Sequence, residues 1–291
     1  MSYGIPAAQP SADTPVCPRH PDRPSYVRCQ RCGRPACPEC QRPAAVGFQC
    51  VDCVNEAQRS VAGNKTIYGG TVRAGRPMVT LGIIALCAVV YILQWIVPND
   101  AVFQNFAFAN IYASPESGVF EPWRMLSSAF LHSQGFILHI ALNMYSLWIF
   151  GQALEPLIGR ARFLALYLLC AIGGSAGFLL LTPMVPVIGV VGASGAIFGL
   201  FGAMVVIQRH RGGDIRQLLV LIGINAVLGF MVSGIAWQAH LGGLITGLLG
   251  AAVIAYAPKG PKRNLLQVLG LLLVLAVVVV AVWIRVQTAT F

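Results

Sequence analysis

Two polar residues stand inside long apolar stretches and could together perform nucleophilic catalysis. Ser194 lies in Val-Gly-Ala-Ser-Gly (191–195), and His240 lies in Ala-His-Leu-Gly-Gly (239–243). A polar side chain buried in a lipid bilayer is costly unless it is partnered, so an ionisable residue there marks a functional site. A serine nucleophile and a histidine that accepts its proton are the minimal pair for acyl transfer.

A second polar pair, His139 and Asn143, lies near the start of another apolar segment. The four-residue spacing places both side chains on one face of a helix. Hydrogen bonding between neighbouring helices is the purely structural alternative for such a pair. Glycines four residues apart occur beside Ser194 and beside His240. Such spacing of small residues predicts close packing of the two helices. These glycines are Gly195, Gly199, Gly243 and Gly247.

A carboxylate partner for His240 is absent from the apolar segments that carry the two motifs. None of the ten acidic residues lies in 187–207 or 236–257. The sequence therefore predicts a Ser-His dyad rather than a triad with an acid. A zinc protease is disfavoured, because no His-Glu-x-x-His motif occurs. Inverted repeats, which would favour a transporter, are not evident either.

The composition identifies the elements that must position these residues. Apolar residues make up 56% of the 291 residues and charged residues only 10%, whereas a soluble domain carries about 25% charged residues. A transmembrane helix needs about 20 apolar residues, which predicts an all-α polytopic membrane protein. The candidate segments are 78–97, 134–154, 162–182, 187–207, 216–233, 236–257 and 264–285.

The distribution of positive charge predicts the orientation of these helices. Eighteen of the 20 Lys and Arg residues fall on one side of the predicted membrane, and only Arg124 and Arg285 fall on the other. The positive-inside rule then places the N-terminus in the cytoplasm and the C-terminus outside, in a multi-pass protein of the cell membrane. Attraction of the basic face to anionic lipid accounts for the net charge of +10, so no nucleic-acid partner is expected. Ser194, His240, His139 and Asn143 would share outer-leaflet depth.

Metal-ligating residues are concentrated in a short N-terminal segment. Four pairs, each separated by two residues, occur within 37 residues. A disulfide framework would need an oxidising compartment, so the predicted cytoplasmic location favours zinc. Eight ligands fit two closed structural zinc sites. The ligands are Cys17, His20, Cys29, Cys32, Cys37, Cys40, Cys50 and Cys53.

This segment resembles a B-box zinc finger, from which it departs in having Cys50 and Cys53 as its last pair. The resemblance implies interleaved ligation, with sequential pairing as the alternative left open by the spacing. Modules of this kind usually bind protein, which implies a cytosolic protein partner, with a purely structural role as the alternative. The interleaved sets would be Cys17, His20, Cys37 and Cys40 for one zinc, and Cys29, Cys32, Cys50 and Cys53 for the other.

The region 78–257 resembles the rhomboid intramembrane serine proteases in the order and spacing of four motifs. These are Trp123-Arg124, His139-x3-Asn143, Gly192-Ala193-Ser194-Gly195 and Ala239-His240-x2-Gly243. The resemblance implies a six-helix rhomboid core with one added C-terminal transmembrane helix. It also implies that Ser194 is the nucleophile, His240 the base, and His139 with Asn143 the oxyanion-stabilising pair. The ring of Phe198 is expected beside His240, and no cofactor is expected for catalysis.

Taken together, these features predict five parts: a disordered tail (1–16), a zinc-binding domain (17–56), a linker (57–77), the catalytic core (78–257), and a seventh helix with a C-terminal tail (258–291). The predicted function is cleavage of transmembrane-helix substrates near their extracytoplasmic ends. The alternative is a non-proteolytic rhomboid-like binding protein, but such relatives usually lack the Ser or the His. Trp123 and Arg124, in the loop 98–133, could instead be ordinary interfacial membrane anchors.

Overall fold

The computed structural model describes residues 14–62, 65–71, 75–114, 118–183, 189–232 and 234–288. The chain divides into two compact units, Met1–Asn64 and Lys65–Phe291. Most of the segment 1–16, which composition indicates as a disordered tail, lies outside the described residues.

Over its described residues, 14–62, the first unit, here called the head, has two short antiparallel strand pairs and one α-helix. Strand β1 (Val16–Cys17) pairs with β2 (His20–Pro24), and β3 (Gln41–Pro43) pairs with β4 (Phe48–Cys50). Helix α1 (Val51–Ala62) follows directly. The buried apolar cluster of the head consists of cysteines and Ala36. Because so small a core cannot stabilise a fold alone, metal binding is the expected source of stability.

In the part of the chain that the structure describes, the second unit is helical, and seven of its helices overlap the seven predicted apolar segments. Five of them are long and apolar enough to cross a membrane, whereas α7 and α8 have 17 and 16 residues. The seven helices are α2 (Met78–Ile96), α5 (Ile137–Ile158), α6 (Arg160–Leu181), α7 (Ser194–His210), α8 (Arg216–Met231), α9 (Trp237–Tyr256) and α10 (Arg263–Thr288). Between α2 and α5 lie the short helices α3 (Ala101–Phe106) and α4 (Arg124–Ser127).

The fourth of these helices begins later than the sequence pattern predicted. The apolar run suggested 187–207, but α7 starts at Ser194 and ends at His210. The described residues just before it bond to other segments instead: Val190 exchanges two backbone hydrogen bonds with Phe108, and the N–H of Gly192 donates to the carbonyl of Ser128. Hydropathy registers apolar character but not this strand-like pairing, so it placed the boundary too early.

Glycine packing brings α7 and α9 together, as the small-residue steps predicted. A Cβ atom placed on Gly243 would overlap the backbone of Gly195, and one on Gly247 would overlap the backbone of Gly199. On α6, a Cβ on Gly177 would lie 2.6 Å from the Cα of Gly242. Close approach of backbones in this way is what small residues allow between membrane helices.

The loop between α2 and α5 is organised around a buried arginine. Arg124 is only 4% exposed, forms an ion pair with Glu121, and donates to the backbone carbonyl of Ala107 at 3.3 Å. Its guanidinium also lies 3.9 Å from the ring centre of Tyr112. The alternative reading of Arg124 as a snorkelling membrane anchor is therefore wrong, because its charge is satisfied inside the loop.

Part of the segment 57–77, which composition indicates as a linker, is structured. Helix α1 continues to Ala62, and Tyr68 is fully buried within the second unit. The hydroxyl of Tyr68 lies 3.3 Å from Nδ1 of His210 at the end of α7. Gln267 on α10 donates to the carbonyl of Tyr68 at 3.1 Å. Residues 65–71 therefore pack against the C-terminal end of α7 and the N-terminal part of α10.

Candidate active site

Ser194 and His240 meet where two helices begin. Ser194 is the first residue of α7, and His240 lies in the first turn of α9. The Oγ atom of Ser194 is 2.9 Å from Nε2 of His240, the distance at which a hydroxyl donates a hydrogen bond to a general base. The close packing of α7 on α9 makes this contact possible between residues 46 positions apart.

The imidazole of His240 is held by packing rather than by an acid. The ring of Phe198, one turn after Ser194, stacks on it with centroids 4.1 Å apart and planes 9° apart. Within the described part of the chain, the buried Nδ1 of His240 has no hydrogen-bond partner. No acidic side chain therefore bonds to His240 among the described residues, and the ring of Phe198 lies beside it, where the rhomboid resemblance placed an aromatic.

His139 faces the serine from helix α5. The backbone N–H of Ser133 donates to Nδ1 of His139 at 3.1 Å, which leaves Nε2 as the protonated nitrogen of a neutral ring. A Cβ built on Gly192 would lie 2.8 Å from this Nε2 and 3.8 Å from Oγ of Ser194. Because Gly192 has no side chain, this position between the donor and the nucleophile is left unfilled, and Gly192, His139 and Ser194 line one cavity.

Asn143 lies one turn further along α5. Its Nδ2 donates to the carbonyl of His139 at 2.7 Å, and its side chain is 7% exposed. An amide nitrogen has two protons, so one N–H of Asn143 is left for another acceptor. The backbone N–H groups at the start of α7, beginning with Ser194, also lack intrahelical partners by geometry and carry the positive end of the helix dipole.

These groups share one cavity of about 1360 Å³. Its wall includes Ser194, His240, His139 and Asn143, together with Ser128 from the loop before α5. A nucleophile, a base and several N–H donors around one space can perform acyl transfer.

Sequence reasoning missed two neighbours of this site. Ser133 sets the ring of His139 through its backbone, which no side-chain pattern reveals. Gln94 holds the same loop from α2, and a polar residue near the end of an apolar helix was a signal that could have been used. His132 and Glu155 take no part in the hydrogen bonds of the dyad. The carboxylate of Glu155 instead accepts from the backbone N–H groups of Val79 and Thr80 at the start of α2.

The eight candidate metal ligands form two groups, within each of which the donor atoms lie no more than 4.8 Å apart. One group is Cys17, His20, Cys37 and Cys40, and the other is Cys29, Cys32, Cys50 and Cys53. The grouping is interleaved, as the B-box resemblance implied, and differs from the sequential alternative.

The donor sets fit a tetrahedral ion. Zinc–sulfur bonds of about 2.3 Å in a tetrahedron separate two sulfurs by roughly 3.8 Å, and Sγ of Cys32 lies 3.7 Å from Sγ of Cys50. Nδ1 of His20 lies 3.2 Å from Sγ of Cys37 and 3.4 Å from Sγ of Cys40. Several hydrogen bonds, the largest effect coming from the backbone N–H of Cys37, lower the pKa of Cys17 to about 6. Burial instead raises the pKa of Cys40, in the same group, to about 11, so the two thiols differ in how readily they become the thiolate that a metal binds.

Comparison with known proteins agrees with the geometry of the helical unit. The family model described as the Rhomboid domain matches residues 119–257. The rhomboid protease GluP of Bacillus subtilis is 33% identical over 162 residues, which cover 54% of this chain and 31% of GluP. The rhomboid protease GlpG of Serratia proteamaculans is 34% identical over 104 residues, which cover 36% of this chain and 35% of GlpG.

A third relative is matched over most of its length. YdcA of Bacillus subtilis, whose name also contains the words rhomboid protease, is 34% identical over 176 residues, covering 60% of this chain and 86% of YdcA. The chain spans about a third of the length of GluP and GlpG. On the strength of the YdcA match, the domain match and the helical fold, this chain belongs to the rhomboid family.

Proposed function

We propose that this protein is an intramembrane serine endopeptidase that cleaves transmembrane-helix substrates near their extracytoplasmic ends. The observation that carries this proposal is the 2.9 Å contact between Oγ of Ser194 and Nε2 of His240, in a chain whose relatives are named rhomboid proteases. Loss of either side chain would be expected in a rhomboid-like protein that only binds. The intact hydrogen bond between them therefore argues against the non-proteolytic alternative.

The proposed reaction begins when His240 takes the proton of Ser194 as Oγ attacks the substrate carbonyl. The carbonyl oxygen becomes an oxyanion in the space beside Gly192. It accepts hydrogen bonds there from Nε2–H of His139, the backbone N–H of Ser194 and an N–H of Asn143. Protonated His240 then gives its proton to the leaving amine, and the acyl group stays on Ser194.

The second half of the reaction uses the same groups. Water in the open cavity attacks the acyl-enzyme while His240 again removes a proton, and Ser194 leaves with that proton. An intramembrane protease must supply this water from outside the lipid, and the cavity reaches the starts of α5, α7 and α9, where Phe136, Ser194 and Ala236 line it.

Charge supports an extracytoplasmic location for the cavity. The far ends of the same helices carry basic residues: Arg160 follows α5, Arg209 and Arg211 end α7, and Lys259 and Lys262 follow α9. Basic loops remain in the cytoplasm, which supports a cytoplasmic N-terminus and a dyad near the outer surface. The C-terminus after α10 would then be extracytoplasmic.

For the head, we propose two structural zinc ions and no catalytic one. Each ligand group has four donors, which closes a tetrahedral site and leaves no open position for a substrate. The ions would hold together a fold whose buried cluster is made almost wholly of cysteine. A cytosolic protein partner is the kind of ligand such a module would take.

The function is tested by incubating the purified full-length protein, reconstituted in liposomes, with a reporter transmembrane helix. The wild-type protein should cleave it, whereas Ser194→Ala and His240→Ala should not. Ser146→Ala is a matched control, because Ser146 lies on the wall of the same cavity and should tolerate the change. Equal thermal unfolding midpoints would show that loss of cleavage is not loss of fold. Cleavage that survives in both dyad variants would overturn the proposal.

A further inference from the structure

Gln94, near the end of α2, makes a two-point contact with one residue of the loop before α5. Its Nε2 donates to the carbonyl of His132 at 2.9 Å, and its Oε1 accepts from the N–H of His132 at 3.0 Å. The side chain is 3% exposed. Both hydrogen-bonding groups of the amide are thus used on a single backbone position, which fixes the loop in place and in orientation.

The carbonyl that Gln94 holds belongs to the same peptide unit as the N–H that holds His139. The unit joins His132 to Ser133; its C=O accepts from Gln94, and its N–H donates to Nδ1 of His139 at 3.1 Å. Because a peptide unit is planar and rigid, fixing the carbonyl on one edge directs the N–H on the other. Hydrogen bonds in such a chain also polarise one another and become stronger.

The direction of that N–H decides which nitrogen of His139 carries a proton. A donor at Nδ1 makes Nε2 the protonated nitrogen, and Nε2 faces the space beside Gly192. If the peptide turned away, the ring could hold its proton on Nδ1 and present a lone pair at Nε2. A lone pair there would repel an oxyanion rather than stabilise it.

We propose that Gln94 is a positioning residue, which keeps His139 in its oxyanion-donating tautomer and orientation through the His132–Ser133 peptide. The inference depends on the proposed proteolytic function. Gln94 does not contribute to the wall of the cavity formed by the described residues, so it acts on the reaction through the loop that holds His139. Its role differs from that of Gln134, whose Nε2 ties the same loop to the carbonyl of Gln94 at 2.9 Å and does not hold the His132 carbonyl.

A double-mutant cycle separates this role from simple support of the fold. Gln94→Met preserves the length of the side chain and removes both hydrogen bonds. Its kcat for reporter cleavage should fall by about tenfold, less than the 10²–10³ that loss of a whole oxyanion donor costs, while KM stays within about twofold because ground-state binding is not touched. In a His139→Ala background, the same change should lower kcat no further.

The control is Thr80→Val at the opposite end of α2. Thr80 is buried and donates to Glu155 at 2.8 Å, so its loss also removes a buried hydrogen bond from this helix. Its kcat should match that of the wild type even where its unfolding midpoint falls as much as that of Gln94→Met. If Gln94→Met does not fold, Gln94→Asn takes its place, because it keeps the amide but is one methylene too short to make both hydrogen bonds. The double-mutant cycle with His139→Ala is then repeated with this variant.

Independent, multiplicative losses in the double variant would overturn the inference, as would a wild-type kcat in a folded Gln94→Met protein. Both results would leave wild-type cleavage intact and so leave the proposed function standing. An inactive wild-type protein would instead refute the function on which the inference rests.

Discussion

A methyl group added at Gly192 should disable the site although every side chain proposed to act in catalysis is kept. In Gly192→Ala, the new Cβ would lie 2.8 Å from both Cε1 and Nε2 of His139, whereas non-bonded carbon atoms prefer about 3.5–4.0 Å. The ring must therefore retreat by roughly 1 Å, and a displacement of that size in a catalytic group can lower the rate by about 10²-fold.

The backbone adds a second cost at the same position. Gly192 has a φ of +123°, which L side chains rarely adopt, and strain of this kind costs about 1–3 kcal/mol. Relaxing it would shift Ser194, two residues later, relative to its base. Both effects predict a loss of kcat on the order of 10²-fold, with the fold retained because the Gly192 N–H can still donate to Ser128.

The assay is reporter cleavage in liposomes, with kcat and KM measured separately and thermal unfolding followed in parallel. Gly82→Ala is the matched control, since a Cβ at Gly82 on α2 meets no atom within 4 Å. It should leave both kinetic constants unchanged. A folded Gly192→Ala protein with the kcat of the wild type would refute the assignment of the oxyanion to the space between His139 and Ser194.

Further perturbations test other parts of the molecule. His139→Ala should lower kcat at least tenfold with little change in KM, because it removes a donor used in the transition state; an unchanged kcat would assign the residue to packing. Tyr68→Ala should lower the unfolding midpoint strongly, since truncating a buried aromatic costs about 3–5 kcal/mol; an unchanged midpoint would contradict the packing of residues 65–71. Metal analysis of the full chain should return about two zinc ions, and Cys37→Ser about one, because each four-donor group holds one ion; equal metal content in both would refute the ligand grouping. Deleting residues 1–62 should leave cleavage of the reporter largely intact, because the proposed metal sites are closed; loss of cleavage would make the head a regulator of the core.

The sequence alone predicted the helices and the meeting of Ser194 with His240, because both follow from simple physics. Long apolar runs fix the existence of transmembrane helices, and a serine and a histidine within them are conspicuous. The glycine steps correctly predicted the approach of α7 and α9, and with it the contact between Ser194 and His240. In the head, the paired spacing of the Cys and His residues predicted two groups of four donors, because four donors suit a tetrahedral zinc ion.

Other features depend on contacts that a linear pattern does not record. The start of α7 at Ser194 follows from pairing of Val190 with Phe108, which are distant in sequence. The buried Arg124 required the loop to fold around it, and hydropathy treats such a residue as exposed. The roles of Gln94 and Ser133 depend on one peptide unit, whose C=O accepts from Gln94 and whose N–H donates to His139. They become apparent only from the three-dimensional positions of both groups.

The central claim is that Ser194 is the nucleophile and that His240 activates it, and covalent labelling tests this most directly. The purified wild-type protein is treated with a fluorophosphonate, digested, and analysed by mass spectrometry to locate the adduct. The geometry predicts one phosphonylated peptide modified on Ser194, and no adduct there in folded His240→Ala. Modification at another serine, or undiminished labelling of Ser194 without His240, would contradict the dyad.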